Sequence, residues 1–367
     1  MVTQRSRTKM DKFNADNERV KRDYAEFLRE ADQKSEATVR GVEKALLRFE
    51  QFTGFADFGL FNRDQAKGFR KSLSTPVDDS KRLGNSTILS TLKAVQRFFR
   101  WLSVQPGFKS KIDSNAIAYF NLSEKDIRAA NSSPSKPSPT MDQLKRVLAS
   151  MPFETVLQRR DRAVFALIMM TGTRDNAASS LLLGHVDVER QMIVQDPKNV
   201  RTKNSKLIES VLLPLGPEVE DALLSWVTYL REDLDWQPDD PLFPQSQHRI
   251  DPQKGPVVDG IKLQIWSGFQ PIRQIFRRAF EGAGLPYFTP HRVRNTVVEY
   301  AYLTCRTPEE FKAFSQNLGH ESVVTTLSSY GQIPLARQRE LIRNAGKSKD
   351  LDAKLERLLE MLDGGAK

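Results

Sequence analysis

The sequence of 367 residues has little cysteine and no long apolar run. Its single cysteine, Cys305, excludes an internal disulfide and a zinc site built on cysteines, and it fits a reducing compartment. No apolar stretch approaches the roughly eighteen residues that a membrane-spanning helix needs. Residues 1–12 are polar and basic, without the apolar segment of a secretory signal. These absences predict a cytoplasmic protein that has no membrane partner.

Motifs that hold nucleotides or metals are also missing. The sequence has no phosphate-binding loop of the form G-x-x-x-x-G-K-[ST], so ATP is not implied. His291 and His320 have no cysteine or paired carboxylate at the spacing of zinc ligands. Carboxylate clusters of the kind that hold two metal ions in nucleases are absent around them. We therefore expect no metal and no nucleotide cofactor.

Acidic residues are missing from one segment of a basic chain. The chain carries 56 Lys and Arg against 46 Asp and Glu, a net charge of +10, which favours a polyanionic partner such as nucleic acid. Between Lys81 and Ile112 there is no acidic residue. A solvated helix face is the alternative, but the lack of acids favours a surface that faces DNA phosphates. The basic residues of this segment are Lys81, Arg82, Lys93, Arg97, Arg100, Lys109 and Lys111.

Apolar periodicity and a Pro/Ser-rich stretch divide the chain. Residues 1–34 are charged and predict a partly ordered arm. Residues 35–130 predict a helical DNA-binding domain, whose third helix is capped by Ser86. Residues 131–139 read Asn-Ser-Ser-Pro-Ser-Lys-Pro-Ser-Pro and predict a stiff linker. The tail over 346–367 contains leucines at helical spacing on a charged background, which predicts an amphipathic helix.

The larger domain, 140–345, is expected to combine helices with a small sheet. The strongly apolar segment 162–171 predicts a buried core helix, followed by a helix over 176–183. Residues 186–195 and 207–213 are rich in β-branched and aliphatic residues, so they predict a small antiparallel sheet with an exposed basic turn between its strands.

Charged and nucleophilic residues of this domain fall into short motifs. The core helix ends in Thr171-Gly172-Thr173-Arg174, so a glycine turn delivers an arginine at the edge of a buried helix. His291-Arg292-Val293-Arg294 has the form H-x-x-R, and Leu318-Gly319-His320 has the form L-G-H. Tyr330 is the only tyrosine after His320. Each motif alone is more often structural, but their joint occurrence over more than 150 residues points to one site.

This series resembles the conserved motifs of the tyrosine recombinases, the phage integrase family. The family also has a lysine on a β-turn, which Lys203 matches best, with Lys198 and Lys206 as alternatives. Two features depart from the family pattern. Ala177 stands where an acidic residue often follows the first arginine by three positions, and the interval from the second histidine to the tyrosine is one residue longer than is common. The candidate catalytic residues are Arg174, Lys203, His291, Arg294, His320 and Tyr330.

These residue types suit one reaction. A phenol can store a phosphodiester as a covalent ester without water or a high-energy cofactor. Two guanidiniums stabilise the extra negative charge of a phosphorane-like transition state. A lysine can protonate the departing deoxyribose oxygen, and an imidazole can accept the proton of the phenol.

The resemblance implies a mainly α fold with a small antiparallel β-sheet. An N-terminal helical core-binding (SAM-like) domain and a C-terminal catalytic domain would form a C-shaped clamp around double-stranded DNA. Tyr330 would attack the scissile phosphate, leaving a 3′-phosphotyrosyl link and a free 5′-hydroxyl, without metal or nucleotide. Arg273 and Arg277, just before the H-x-x-R motif, extend the DNA-binding candidates.

The resemblance also implies partners. Strand exchange would proceed through a Holliday junction in a homo-tetramer on two DNA sites in the bacterial nucleoid, with accessory DNA-bending proteins or a partner recombinase as further candidates. The tail is expected to pack either on its own domain or on a neighbouring protomer. The alternatives to a recombinase are a type IB topoisomerase-like relaxing enzyme and a non-catalytic DNA-binding regulator on the same fold. Integration, excision and cointegrate resolution remain open as the biological role.

Overall fold

A computed structural model describes residues 13–75, 83–131, 137–251, 253, 255–330 and 335–344. The chain divides into two compact units, Met1–Ser133 and Pro134–Lys367. Lys81, Arg82 and the tail over 346–367 lie outside the described residues, as does most of the predicted linker. None of the helices in the described ranges has the length and apolarity to span a membrane.

The first unit is helical and has an aromatic core. Phe61 stacks on Phe99 with ring centroids 4.0 Å apart, and Phe49 meets Phe99 edge to face at 5.1 Å. Such buried ring pairs contribute both area and specific geometry to the core. The helices are α1 (Ala15–Glu30), α2 (Glu36–Thr53), α3 (Arg63–Ser74), α4 (Asn85–Leu102), α5 (Ser114–Ile117) and α6 (Glu124–Asn131).

Two details of this unit differ from the sequence predictions. The predicted arm contains α1. This helix packs into the core, as the 1% exposure of both Tyr24 and Leu28 shows. Helix α4 begins at Asn85 with Gly84 at the N-cap, so Ser86 lies inside the first turn and does not cap the helix. The apolar residues that recur at helical spacing along α4 are buried, namely Ile88, Leu92, Val95, Phe99 and Leu102.

The second unit surrounds a helix whose C-terminal half is apolar on all sides. Its helices are α7 (Met141–Ser150), α8 (Val156–Thr171), α9 (Asp175–Ala178), α10 (Pro217–Thr228), α11 (Gln270–Gly282), α12 (Pro290–Thr304), α13 (Pro308–Asn317), α14 (Val323–Tyr330) and α15 (Leu335–Asn344). Residues 163–170 of α8 are all fully buried, as the sequence predicts for a core helix. Helices α10, α11 and α12 pack against α8, which therefore fixes the position of the turn at its end.

Two antiparallel sheets accompany these helices. The strands are β1 (Val186–Asp187), β2 (Met192–Gln195), β3 (Ile208–Val211), β4 (Pro244–Asp251) and β5 (Gly255–Ile265). Strands β1, β2 and β3 pair in that order, and β4 pairs with β5 in a separate hairpin that contains two β-bulges. The mainly helical fold with a small antiparallel sheet is therefore confirmed.

The structure differs from the sequence predictions at two places in this unit. The helix expected over 176–183 ends at Ala178, because the next two serines donate their hydroxyl protons back to it. Ser179 Oγ is 2.8 Å from the Asn176 carbonyl oxygen, and Ser180 Oγ is 3.1 Å from that of Ala177. Such local bonds compete with helix continuation. The polar stretch 245–268, where the sequence pattern predicts no strand, forms most of the β4–β5 hairpin.

Candidate active site

A buried arginine is held where three chain segments meet. Arg294, on the second turn of α12, is only 5% exposed. Its Nη1 donates to the carbonyl oxygen of Gly172 at 2.6 Å, and its Nη2 donates to the carbonyl oxygen of Leu318. Nη2 also lies 2.8 Å from His320 Nε2. The end of α8, helix α12 and the L-G-H turn are therefore fastened together by one guanidinium.

Two glycines make this meeting possible. Gly172 ends α8 in the left-handed region at φ +63°, and a Cβ there would stand 2.6 Å from Leu318 Cδ2. Gly319 has φ +69°, and a Cβ there would stand 2.7 Å from Ile208 Cδ1. Only glycine satisfies both the backbone conformation and the close approach.

Arg294 is a buried cation that no described carboxylate neutralises. Burial, followed by the charge of Arg174, lowers its pKa to about 9, so the guanidinium remains charged at neutral pH. A buried charge normally requires a compensating partner, and here only carbonyl oxygens and an imidazole are present. The arrangement therefore favours binding of an anion.

Arg174 provides a second cation beside the first. It occupies the N-cap position of α9 and is half-buried, and burial lowers its pKa. Within the described residues its guanidinium forms no hydrogen bond or ion pair. Its charge acts on Arg294, His291 and His320, so the structure brings these four predicted residues together.

His320 is neutral and hydrogen-bonded on both ring nitrogens. Burial, then the charges of Arg294, Arg174 and Lys203, lowers its pKa to about 4. Its Nδ1 lies 2.7 Å from Thr326 Oγ1, while its Nε2 lies beside Arg294 as described above. A neutral imidazole with one protonated nitrogen can accept a proton at the other.

His291 lies in the first turn of α12 with an exposed side chain. Partial desolvation by the surrounding protein lowers its pKa, and the charges of Arg294, Arg292 and Arg174 lower it further. Its exposure makes it accessible to a ligand at the arginine pair, where a neutral ring can donate or accept one hydrogen bond.

The three candidate lysines have different surroundings. Lys203 begins a 3-10 turn over Lys203–Ser205, is exposed, and is close enough to His320 for its charge to lower the pKa of that ring. Lys206 forms an ion pair with Glu321. Lys198 is exposed on the same loop, and no contact with the other candidates is seen among the described residues. Among the three lysines, Lys203 is thus the one whose charge acts on the imidazole, and it has no acidic partner in the described part of the chain.

Residues that the sequence did not single out hold this loop. Arg201 Nη2 donates to the Ser179 carbonyl oxygen at 3.0 Å, and Nη1 donates to that of Ser267 at 2.8 Å. The loop is therefore tied both to the segment after Arg174 and to the end of the β4–β5 hairpin. The sequence does not distinguish Arg201 from the other basic residues, because its role depends on contacts with residues that are distant from it in the sequence.

The side chain of Asn317 connects strand β3 to the L-G-H turn. Its Nδ2 donates to the Val211 carbonyl oxygen at 3.0 Å, and its Oδ1 accepts the Val211 N–H at 2.6 Å. Ser210 Oγ donates to the Asn317 carbonyl oxygen at 2.7 Å. This amide takes the place of a neighbouring strand at the edge of β3. Asparagine at a helix end usually marks a cap, so this contact could not be predicted from the sequence.

No group of three or more His, Cys, Asp or Glu side chains within the described ranges is arranged to hold a metal ion.

Comparisons with known proteins place this geometry in context. No family model matches the chain. Its sequence is similar to tyrosine recombinase XerC of Corynebacterium efficiens, with 24% identity over 333 residues, which cover 88% of this chain and 89% of XerC. The Tn1549 transposon integrase in complex with circular intermediate DNA superposes with a TM-score of 0.58 at 19% identity, covering 88% of this chain and 98% of the integrase. The XerH site-specific recombinase bound to palindromic difH substrate gives 0.58 at 18% identity, covering 88% and 82%. Lambda integrase bound to a COC′ core site gives 0.57 at 14% identity, covering 87% and 99%.

The chain has the fold of the tyrosine recombinases.

The resemblance predicted from the sequence motifs is thereby confirmed at the level of the fold. On the tyrosine recombinase fold, Tyr330 is the last residue of α14, and its side chain lies outside the described residues. Ala177, which stands where the family often has an acidic residue, is 2% exposed and offers no group to orient Arg174. The neighbouring Asp175 accepts instead from Arg273 Nε at 2.9 Å, which fixes the start of α9 directly after Arg174.

The predicted DNA-binding residues of this tyrosine recombinase fold are mostly exposed. Lys93, Arg97 and Arg100 follow one another at helical spacing on α4, so they share one face. Arg97 pairs with Asp32 at 2.5 Å, which partly offsets its charge. On α11, Arg273 pairs with Asp175, while Arg277 lies over the Tyr287 ring at 4.5 Å. The contacts leave the DNA-binding role of these residues a prediction.

Proposed function

We propose that this protein is a site-specific DNA recombinase of the tyrosine recombinase type, which cuts and rejoins DNA strands. The observation that carries the proposal is the uncompensated pair of cations, Arg294 and Arg174, beside the neutral imidazole of His320. A phosphodiester supplies the missing negative charge, and the fold is one on which DNA recombinases are built. The six candidate residues are assigned the roles below.

The two arginines bind the non-bridging oxygens of the scissile phosphate. Carbonyl contacts and burial preorganise the guanidinium of Arg294, so it meets the growing charge of the transition state without rearrangement. His291 adds a hydrogen bond to the same phosphate from the exposed side. These groups stabilise the transition state more than the ground state, which is the condition for catalysis.

Proton transfer accompanies the attack of Tyr330. The phenol oxygen bonds to phosphorus as its proton passes to His320 Nε2, and the bond from phosphorus to the 5′-oxygen breaks. Lys203 gives a proton to that departing oxygen. The products are a 3′-phosphotyrosyl link and a 5′-hydroxyl, and the reverse steps join the phosphate to a 5′-hydroxyl of another strand.

The partner is double-stranded DNA at a specific site in the bacterial nucleoid. XerH is described bound to its difH substrate and the Tn1549 integrase bound to a circular intermediate, and we propose the same kind of partner for this chain. Exchange takes place in a homo-tetramer on two sites through a Holliday junction, with accessory proteins where the site requires bending. The basic face of α4 contacts phosphates in this proposal.

A covalent capture experiment tests the function. The protein is first used to select DNA that it binds, either from the flanks of its own gene or from a pool of random duplexes. The selected sequence is then synthesised with a nick near the centre of the bound region. Wild type and Tyr330→Phe are incubated with it and run on a denaturing gel. We expect a protease-sensitive complex with wild type only. Specific binding without a complex from wild type would contradict strand transfer and favour a DNA-binding regulator.

A second assay separates recombination from relaxation. Two plasmid-borne copies of the captured site are expected to recombine, whereas a plasmid without the site keeps its supercoils. Relaxation of any supercoiled plasmid by the wild type would instead identify a type IB topoisomerase-like enzyme.

A further inference from the structure

A short chain of hydrogen bonds runs from His320 into the protein interior. His320 Nδ1 is 2.7 Å from Thr326 Oγ1, which in turn donates to Ser315 Oγ at 2.8 Å. Thr326 is fully buried and Ser315 is 1% exposed. The His320 backbone N–H donates to the Ser315 carbonyl oxygen at 3.0 Å. Thr326 of α14 therefore contacts the ring of His320, and Ser315 of α13 holds both Thr326 and the His320 backbone.

The direction of these bonds determines where the proton on the ring lies. The Thr326 hydroxyl has one proton and gives it to Ser315, so towards His320 it can only accept. Nδ1 must therefore carry the proton. At the other nitrogen, Arg294 Nη2 can only donate, so Nε2 must present its lone pair. Both ends of the ring require the same tautomer.

The two ends are not equivalent once a phosphate is bound. A phosphate oxygen accepts from a guanidinium more strongly than a neutral imidazole does, so it competes for the Nη2 protons of Arg294. As the contact between Arg294 Nη2 and His320 Nε2 weakens, Arg294 no longer determines which ring nitrogen carries the proton. The hydroxyl of Thr326 is then the group that still fixes the tautomer at the moment when the base must act.

We propose that Thr326 and Ser315 are positioning residues that hold the proton of His320 on Nδ1, so that Nε2 is free to accept the proton of the attacking phenol. The inference rests on the proposed strand-transfer function. After transfer, both ring nitrogens carry protons and Nδ1 still donates to Thr326. When the phosphotyrosyl link is resolved, the Nε2 proton returns to the tyrosine oxygen.

The charges around the ring make this positioning necessary. Arg294, Arg174 and Lys203 all disfavour an imidazolium. A hydroxyl acceptor at Nδ1 stabilises the charged ring more than the neutral ring. Among the described neighbours of the ring, the Thr326 hydroxyl is the group that offsets the effect of the three cations. Removing it is expected to make Nε2 a weaker base.

Nitrogen NMR of histidine-labelled full-length protein tests the inference. His320→Gln identifies the His320 signals among those of the four histidines. Spectra are recorded for wild type, Thr326→Val and Thr326→Ser, without anion and with inorganic phosphate. Thr304→Val serves as the matched control, because its hydroxyl donates to the backbone carbonyl of Tyr300 at 2.8 Å and lies beside the Cys305 thiol, on an exposed helix end.

In wild type we expect a protonated Nδ1 and an unprotonated Nε2, with or without phosphate. Thr326→Val is expected to lower the midpoint of the His320 titration in the free protein and to give a mixture of tautomers with phosphate bound. Thr326→Ser and Thr304→Val should match wild type. A wild-type ring protonated on Nε2, or a Thr326→Val titration midpoint equal to that of wild type, would overturn the inference.

The covalent capture assay separates this inference from the proposed function. We expect the rate of covalent complex formation to fall about tenfold in Thr326→Val, the effect of losing one hydrogen bond, and to recover in Thr326→Ser. A wild-type rate in Thr326→Val would refute the positioning role and leave the recombinase assignment intact. No complex from wild type, together with the expected NMR result, would refute the function and leave the tautomer assignment intact.

Discussion

Replacing Gly172 by alanine should damage the site through its backbone. The residue sits at φ +63°, where an L side chain costs about 1–2 kcal/mol. The new Cβ would stand 2.6 Å from Leu318 Cδ2 and 3.4 Å from Arg294 Cγ. Overpacking of this kind costs roughly 1–3 kcal/mol, towards the lower end if Leu318 finds another rotamer. We expect a total loss of about 2–5 kcal/mol in the free energy of unfolding.

Gly284→Ala provides the control, since it carries the same backbone cost without the clash. Gly284 has φ +68°, and nothing lies within 4 Å of its added Cβ. By thermal unfolding, Gly172→Ala should melt roughly 2–12 °C below Gly284→Ala, given about 2–4 °C per kcal/mol for a unit of this size. Gly172→Ala should also cleave DNA slowly, because Leu318 carries the carbonyl that receives Arg294. Equal melting temperatures and equal cleavage rates in the two variants would refute the close packing described for this turn.

Three further predictions concern the site itself. Arg294→Ala should abolish covalent complex formation while DNA binding stays within a few-fold, because its contribution lies in the transition state; a parallel loss of binding in a gel-shift assay would count against a catalytic role. Lys203→Ala should block cleavage of a normal strand but not of one with a 5′-bridging sulfur leaving group, and the same pattern in Lys198→Ala or Lys206→Ala would transfer the assignment. His320 has a pKa lowered from 6.5 to about 4, so the unfolded chain takes up its proton first as pH falls. The free energy of unfolding should therefore decline between pH 6.5 and about 4, and His320→Gln should make that decline shallower in urea titrations; an unchanged slope would contradict a neutral folded histidine.

Local patterns made much of the fold predictable from the sequence. The apolar stripe of α4, the buried segment of α8 and the capping box at Thr140 are each determined by neighbouring residues, and the structure contains all three. The strands around the basic loop were predictable for the same reason. The fold class followed once the short motifs were considered together.

What the sequence could not reveal depends on contacts between distant segments. The role of Arg201 rests on carbonyls more than twenty and more than sixty residues away, and that of Asn317 on a strand edge 106 residues away. The early end of α9 results from serines that the helical pattern alone does not exclude. The β4–β5 hairpin was missed because β4 is almost entirely polar and so lacks an alternation of polar and apolar residues.

Strand β3 touches the L-G-H turn at both of its ends. Ile208 packs against Gly319 at one end, and Val211 is bonded to Asn317 at the other. The loop with Lys203 leads directly into this strand, and the turn leads directly to His320. If Lys203 and His320 have the roles proposed above, we expect them to move together, so that DNA that positions the loop also positions the imidazole. In that case cleavage would stop before either proton transfer unless both groups were in place, because protonation of the leaving oxygen and deprotonation of the attacking phenol would become possible together.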